Sequence, residues 1–212
     1  MTGLLIFDCD GVLVDSEPIS NRVLAEVINE LGWPISFDET IREFKGTTVR
    51  QVWERVGARL QREIGADVDR DFRARERRAL EAECRAVPGI PALIETLATP
   101  YCVASNGPHE KMRWTLGTVG LLHAFTSRIF SAHDVAHPKP HPDLFLYAAA
   151  QMGVAPERCV VLEDSPAGIV AARRAGMRPL GLAATATADR ESLLAAGAEQ
   201  VLDRAADLAP LL

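Results

Sequence analysis

The sequence predicts an α/β fold: a parallel sheet with helices on both faces, interrupted once by an all-helical insertion. Three observations predict it. Short apolar runs recur along the chain, helix-period segments alternate with them, and residues 16–87 carry helical periodicity with no strand-like run.

The runs are "LLIF" at 4–7, "YCVA" at 101–104, "RIFS" at 128–131, "CVVL" at 159–162 and "RPLGLA" at 178–183. Their length and unbroken apolar character suit strands buried on both faces. Pro88, Gly89 and Pro91 precede Leu93, Ile94 and Leu97, a proline-led helix start. "HPDLFLYAAAQMG" reads as a helix that Gly153 ends, and "DSPAGIVAARRAGM" as one capped by Ser165, opened by Pro166 and stopped by Gly176. Residues 1–15 and 88–212 therefore form a doubly wound, Rossmann-like catalytic core.

Between them, Ile19, Val23, Leu24, Val27, Ile28 and Leu31 recur at helical spacing, as do Val49, Val52, Val56, Leu60 and Ile64. "DVDRDFRARERRALEAE" reads as a third helix with a solvated, mixed-charge face. Residues 16–87 are thus expected to form a helical cap, with hinges near Val14–Glu17 and Ala86–Gly89.

Composition narrows the function. Hydrophobic residues make up 48% of 212, enough for a sizeable core. A formal net charge of −6 argues against a nucleic-acid partner. No apolar run approaches the length of a bilayer span and no secretory signal is visible, so a soluble, cytoplasmic protein with no membrane partner is expected. The sequence leaves the oligomeric state open, with a monomer as the expectation. Cys9, Cys84, Cys102 and Cys159 form no C-x-x-C and read as small buried hydrophobes.

In a doubly wound sheet, ligands collect at the carboxyl ends of the strands. Asp8 directly follows "LLIF", Ser105 and Asn106 follow "YCVA", and Glu163 and Asp164 follow "CVVL". Segments far apart in sequence thereby deliver polar groups to one edge. Each like-charge pair among the three acids costs roughly 4 kcal/mol at about 4 Å and an effective dielectric of 20. Such a site takes up protons or binds a cation, and hard carboxylate oxygens favour Mg²⁺. Lys139, between Pro138 and Pro140, supplies an ammonium that can reach both a phosphoryl oxygen and a carboxylate. Asp8 is then expected to attack phosphorus, and Asp10 to handle protons. Gly11 lets the chain turn, and Asp15 braces that turn.

These residues resemble the haloacid dehalogenase superfamily in its phosphatase form: "DCDGVLVDS" first, a serine after the second strand, a lysine in the third segment and "ED" in the fourth. The likeness spans the chain, including a helical cap after the first motif. It implies that Asp8 is both nucleophile and metal ligand, and that the Asp10 carbonyl binds Mg²⁺. It also makes Asp164 a ligand and Glu163 a ligand or its support. Ser105, the Asn106 amide and Lys139 would hold the phosphoryl group. The acid at Asp10 sets the chain apart from true haloacid dehalogenases and from cation-pumping ATPases.

"EFKGTTVR" at 43–50 is similar to the cap loop of β-phosphoglucomutase-like proteins, which makes Glu17, Lys45, Gly46 and Arg50 candidate substrate residues. The chain departs from that pattern twice. Pro18, Ile19 and Ser20 follow Glu17 where the mutases carry a histidine, and Arg50 lies farther from the glycine. "CVASNGPHEKM" resembles bacterial 6-phosphogluconate phosphatases. The expected activity is hydrolysis of a small phosphorylated metabolite, a sugar or sugar-acid phosphate, with phosphomutase chemistry as the alternative. A phosphoacceptor signalling module fits less well, because its aspartate would follow the third strand. His133, His137 and His141 read as loop histidines, since the prolines between them forbid a continuous helix. Among the tryptophans, Trp53 is the candidate to face a substrate.

Overall fold

The computed structural model describes residues 2–44 and 47–212, which separate into two compact units, Met1–Asp15 with Arg85–Leu212 and Ser16–Cys84. The first holds a six-stranded sheet in the order β3-β2-β1-β4-β5-β6. Its strands are β1 (Leu4–Phe7), β2 (Tyr101–Ser105), β3 (Ile129–Ser131), β4 (Cys159–Glu163), β5 (Arg178–Leu182) and β6 (Gln200–Leu202). All neighbouring strands pair in parallel. In this order the winding reverses between β1 and β4, leaving a crevice where the connections from these adjacent strand ends run to opposite sides.

Sequence dictates the sheet's two faces. Leu4 and Ile6 of β1, Cys102 and Ala104 of β2, and Cys159 and Val161 of β4 point one way. They pack on Leu144, Phe145 and Ala148 of α8 (Asp143–Gln151) and on Ala171 and Ala172 of α9 (Pro166–Arg174). On the alternate positions, Phe7 and Tyr101 meet Phe125 of α7 (Leu122–Phe125) edge to face. Small alanines on α8 and α9 let the helices approach closely over a sheet rich in branched side chains. The helix signals act where the sequence places them. Ser165 caps α9 by accepting from the Gly168 amide, Pro166 opens the helix, and Gly153 and Gly176 take positive φ of 68° and 71° just beyond α8 and α9.

The other unit is helical: α1 (Glu17–Glu30), α2 (Phe37–Phe44), α3 (Val49–Leu60) and α4 (Ala66–Glu83). It has its own core of Val23, Val27, Ile28, Val52, Val56 and Phe72, among others. It closes at Cys84, three residues short of the expected boundary at 87. Residues 85–87 instead pair with the first segment of the core: the Asp15 amide donates to the Arg85 carbonyl at 2.9 Å and the Val87 amide to that of Leu13 at 3.1 Å. The helix expected through Ile64 stops at Leu60, where Gln61 turns left-handed at φ 51°. Trp53 does not wait for a substrate. It is buried against Phe72 and its indole N–H donates to Asp69 at 2.8 Å, because a large amphipathic ring beside an apolar core lowers the free energy most by packing there.

Candidate active site

Register alone brings the first two acids together. Leu4 to Phe7 pair in order with Cys159 to Leu162, so the next residues, Asp8 and Glu163, lie side by side. Aligned residues of parallel strands point to the same face, here the face covered by α8 and α9. Asp8 is 7% exposed and Glu163 is buried, so two carboxylates stand next to each other with little water.

Lys139 resolves the conflict. Its Nζ lies 2.6 Å from Asp8 Oδ1 and 2.6 Å from Glu163 Oε1, and also donates to the Ala104 carbonyl at 2.9 Å. It rests 4.7 Å above the ring of Phe145. All three donor positions of the ammonium are used, which is what a buried lysine requires. The loop that carries it is fixed by Asn106: the Lys139 amide donates to the Asn106 carboxamide oxygen at 3.0 Å, and the carboxamide donates back to the Lys139 carbonyl at 3.3 Å. Glu163 is held from its other side, where Oε2 accepts from the Ser165 amide and hydroxyl at 3.0 and 2.8 Å. Even the glycine at 168 is demanded by the site, since a Cβ there would fall 1.9 Å from the Glu163 carboxylate.

Asp164 completes the cluster. One carboxylate oxygen from each of Asp8, Glu163 and Asp164 lies within 4.8 Å of the others. Gly11, at φ 77°, turns the chain directly against Asp164, and a Cβ at this glycine would sit 1.9 Å from Oδ2. The electrostatics report surplus negative charge. Burial pushes Asp8 up to about 7, with Glu163 and Asp10 adding to the rise and Lys139 opposing it. Burial alone would lower Lys139, but Asp8 and Glu163 outweigh it and raise its affinity for the proton. Three hard carboxylates against one committed lysine therefore suit a divalent, oxygen-seeking cation.

Asp10 sits beyond the turn of β1, bridged to Val14, with the Lys111 ammonium 3.4 Å from its carboxylate. Ser105 ends β2 buried, and its hydroxyl accepts from the Gly107 amide at 3.3 Å. Positions Asp8, Asp10, Ser105, Asn106, Lys139, Glu163 and Asp164 thus lie on one edge of the core. Glu17 and Arg50 belong to the helical unit, where Arg50 is 88% exposed and pairs with Glu54 at 2.9 Å. Lys45 and Gly46 lie outside the described residues.

Several participants carried no sequence signal. Lys111 reaches Asp10 across 101 residues. Ser131, at the end of β3, donates to the Gly107 carbonyl at 2.8 Å across 24. The side-chain role of Asn106 was equally hidden. Two of the five histidines are tied up elsewhere, His137 with Asp143 and His109 with Asp134, each at 2.9 Å. All four cysteines are buried as free thiols. Burial, with Asp10 and Asp8 beside it, pushes the Cys9 thiol well above its usual range and leaves it no nucleophilic role.

Topology and site define a doubly wound α/β enzyme that gathers buried carboxylates and a lysine at its strand ends. Residues 2–176 match the family model described as haloacid dehalogenase-like hydrolase. The 6-phosphogluconate phosphatase of Escherichia coli (strain K12) is 35% identical over 177 residues, covering 82% of this chain and 79% of that protein. The fructose-1-phosphate phosphatase YqaB of the same organism is 33% identical over 182 residues, covering 82% and 92%. Among solved structures, a conserved haloacid dehalogenase-like protein of unknown function, ATU0790 from Agrobacterium tumefaciens str. C58, superimposes with a TM-score of 0.90 at 37% identity, covering 100% of this chain and 97% of the other. The chain belongs to the haloacid dehalogenase-like hydrolases, and its named phosphatase relatives are consistent with a phosphoric monoester hydrolase. Among the described residues, no helix is long and apolar enough to cross a membrane.

Proposed function

We propose that the chain hydrolyses the phosphate monoester of a small sugar or sugar acid, acting as a cytoplasmic monomer through an aspartyl phosphate on Asp8. The observation that carries this reading is the Asp8–Lys139 contact at 2.6 Å, a buried carboxylate aligned by an ammonium beside two further acids. Relatives named for 6-phosphogluconate and for fructose 1-phosphate support the substrate class.

In the first half-reaction an Asp8 oxygen bonds to phosphorus as the ester P–O bond breaks, and the Asp10 carboxyl gives its proton to the departing oxygen. In the second, Asp10 takes a proton from water as that water attacks phosphorus, and the bond to Asp8 breaks to release phosphate. The Ser105 hydroxyl and the Asn106 amide hold the phosphoryl oxygens, and Lys139 joins them by exchanging one of its three present acceptors for a phosphoryl oxygen. Asp8, Asp164 and the Asp10 carbonyl would hold Mg²⁺, with Glu163 a further ligand or a support for the others. When bound, the ion supplies positive charge that offsets the repulsion between phosphoryl group and carboxylates. Glu17 and Arg50 are assigned to substrate recognition.

The test is phosphate release from a panel of phosphosugars, phosphorylated sugar acids and p-nitrophenyl phosphate. Release should require Mg²⁺, stop with chelator, and fall at least about a thousandfold in Asp8→Ala. Release undiminished by chelator, or by that substitution, would overturn the reading. Isomer formed only with a sugar bisphosphate primer would replace it with a mutase.

A further inference from the structure

Lys111 lies on α6 (His109–Thr118), the helix that follows the Ser105 loop, and has no part in the assignments above. Its Nζ is 3.4 Å from Asp10 Oδ1 and 3.4 Å from Oδ2, with both side chains about a quarter exposed. That geometry differs from the 2.6 Å contact of Lys139 with one oxygen of Asp8. A short, one-sided contact commits an oxygen to the ammonium. A longer, even-handed one fixes the plane of the carboxyl without committing either oxygen to a short contact.

The position of Asp10 makes such a guide useful. The turn of Gly11 to Val14, closed by the Gly11 amide on the Val14 carbonyl at 2.8 Å, sets its backbone, but the side chain still has rotamers to choose from. The one it adopts lies beside the loop after β2: a Cβ on Gly107 would be 3.8 Å from Asp10 Oδ2 and 3.8 Å from Ser105 Oγ. Two elements widely separated in sequence, the β1 turn and α6, therefore meet at this carboxyl.

We propose that Lys111 is a positioning residue for proton transfer: it holds the Asp10 carboxyl in the orientation from which its proton passes to the leaving oxygen as the ester P–O bond breaks. This rests on the reading of Asp10 as the proton donor. General acid catalysis matters most when the leaving group is a poor one. A sugar alkoxide needs the proton as it departs, whereas nitrophenolate departs without it. Loss of Lys111 should therefore be selective.

The experiment compares kcat/KM for the best sugar phosphate of the panel with that for p-nitrophenyl phosphate, in Lys111→Met, Lys111→Arg and the parent protein. The ratio of sugar phosphate to aryl phosphate should fall at least about tenfold in Lys111→Met and return to within about threefold in Lys111→Arg. A partly misfolded sample lowers both rates equally and leaves the ratio unmoved, so folding cannot mimic the effect. An unchanged ratio in Lys111→Met overturns the proposal while the phosphatase reading stands. A parent protein without activity on any phosphomonoester overturns both.

Discussion

Asp8 shows how one residue can weaken the fold it serves. In the unfolded chain its carboxyl ionises near 3.8, whereas burial holds it at about 7 in the folded protein. Between those values the folded state keeps a proton that the unfolded chain has released. The unfolded state then binds fewer protons, so stability falls as pH rises from about 4 to about 7 and levels off above. Lys139 has the opposite sign. Its folded value is raised above 10.5, so its contribution is complete throughout that window and is lost only at far higher pH. Asp8→Asn removes the titrating group and keeps the shape. In chelator, calorimetric melting temperatures from pH 4.5 to 8 should show the variant gaining on the parent protein as pH rises, with the gain flat above about 7. A gain that is constant or shrinks with pH would refute surplus negative charge as the character of this site.

At the scale of elements, Ser165 links helix formation to chemistry. It was legible as an N-cap, because a serine before proline and a helical apolar pattern offers its oxygen to the first turn. The same hydroxyl also binds Glu163, which in turn holds Lys139. Asp189 plays the same capping part for α10 (Arg190–Ala196), on a different strand connection, accepting from the Glu191 amide at 3.2 Å. Each cap removed by alanine should cost about 1 kcal/mol of stability in denaturant unfolding. Only Ser165→Ala should also reduce kcat/KM, by about tenfold, because it leaves Glu163 Oε2 held by the backbone amide at 165 alone. Equal activity in the two variants would separate the α9 cap from the site. The same contrast explains what sequence could reveal. β1 and β4 stood out as unbroken apolar runs, and the acids just beyond them were readable as strand ends. β6 escaped notice because an edge strand of three residues with exposed Gln200 has no run to detect. α2 escaped because it buries only Thr40 and Phe44 on one short face. Lys111 and Ser131 act through contacts that exist only once distant segments have been brought to one edge, so no local pattern could mark them.

For the whole molecule, the decisive feature is where the chain leaves the core and returns. It departs after Asp15 and comes back at Arg85, and those two residues are joined by a backbone hydrogen bond of 2.9 Å. Val14 and Ala86 form an antiparallel bridge beside it. The ends of the insertion are therefore held together by the core's own pairing, in the geometry that a hairpin loop of a few residues can close. Closing such a short loop also costs less chain entropy than closing the native insertion. The sheet, α8 and α9 share a contiguous apolar interior made only of core residues, and the helical unit has a separate one. Replacing residues 16–84 by a short Asn-Gly loop should thus leave a soluble protein that unfolds cooperatively in denaturant. Because Asp8, Lys139, Glu163 and Asp164 all belong to that core, Mg²⁺ should still raise its stability, by about 2.7 kcal/mol at a hundredfold excess over the dissociation constant. Asp164→Asn in the shortened protein should remove most of that increment. A non-cooperative transition would show that the core needs the helices to fold, and a cooperative one indifferent to Mg²⁺ would show that the carboxylates alone do not make the metal site.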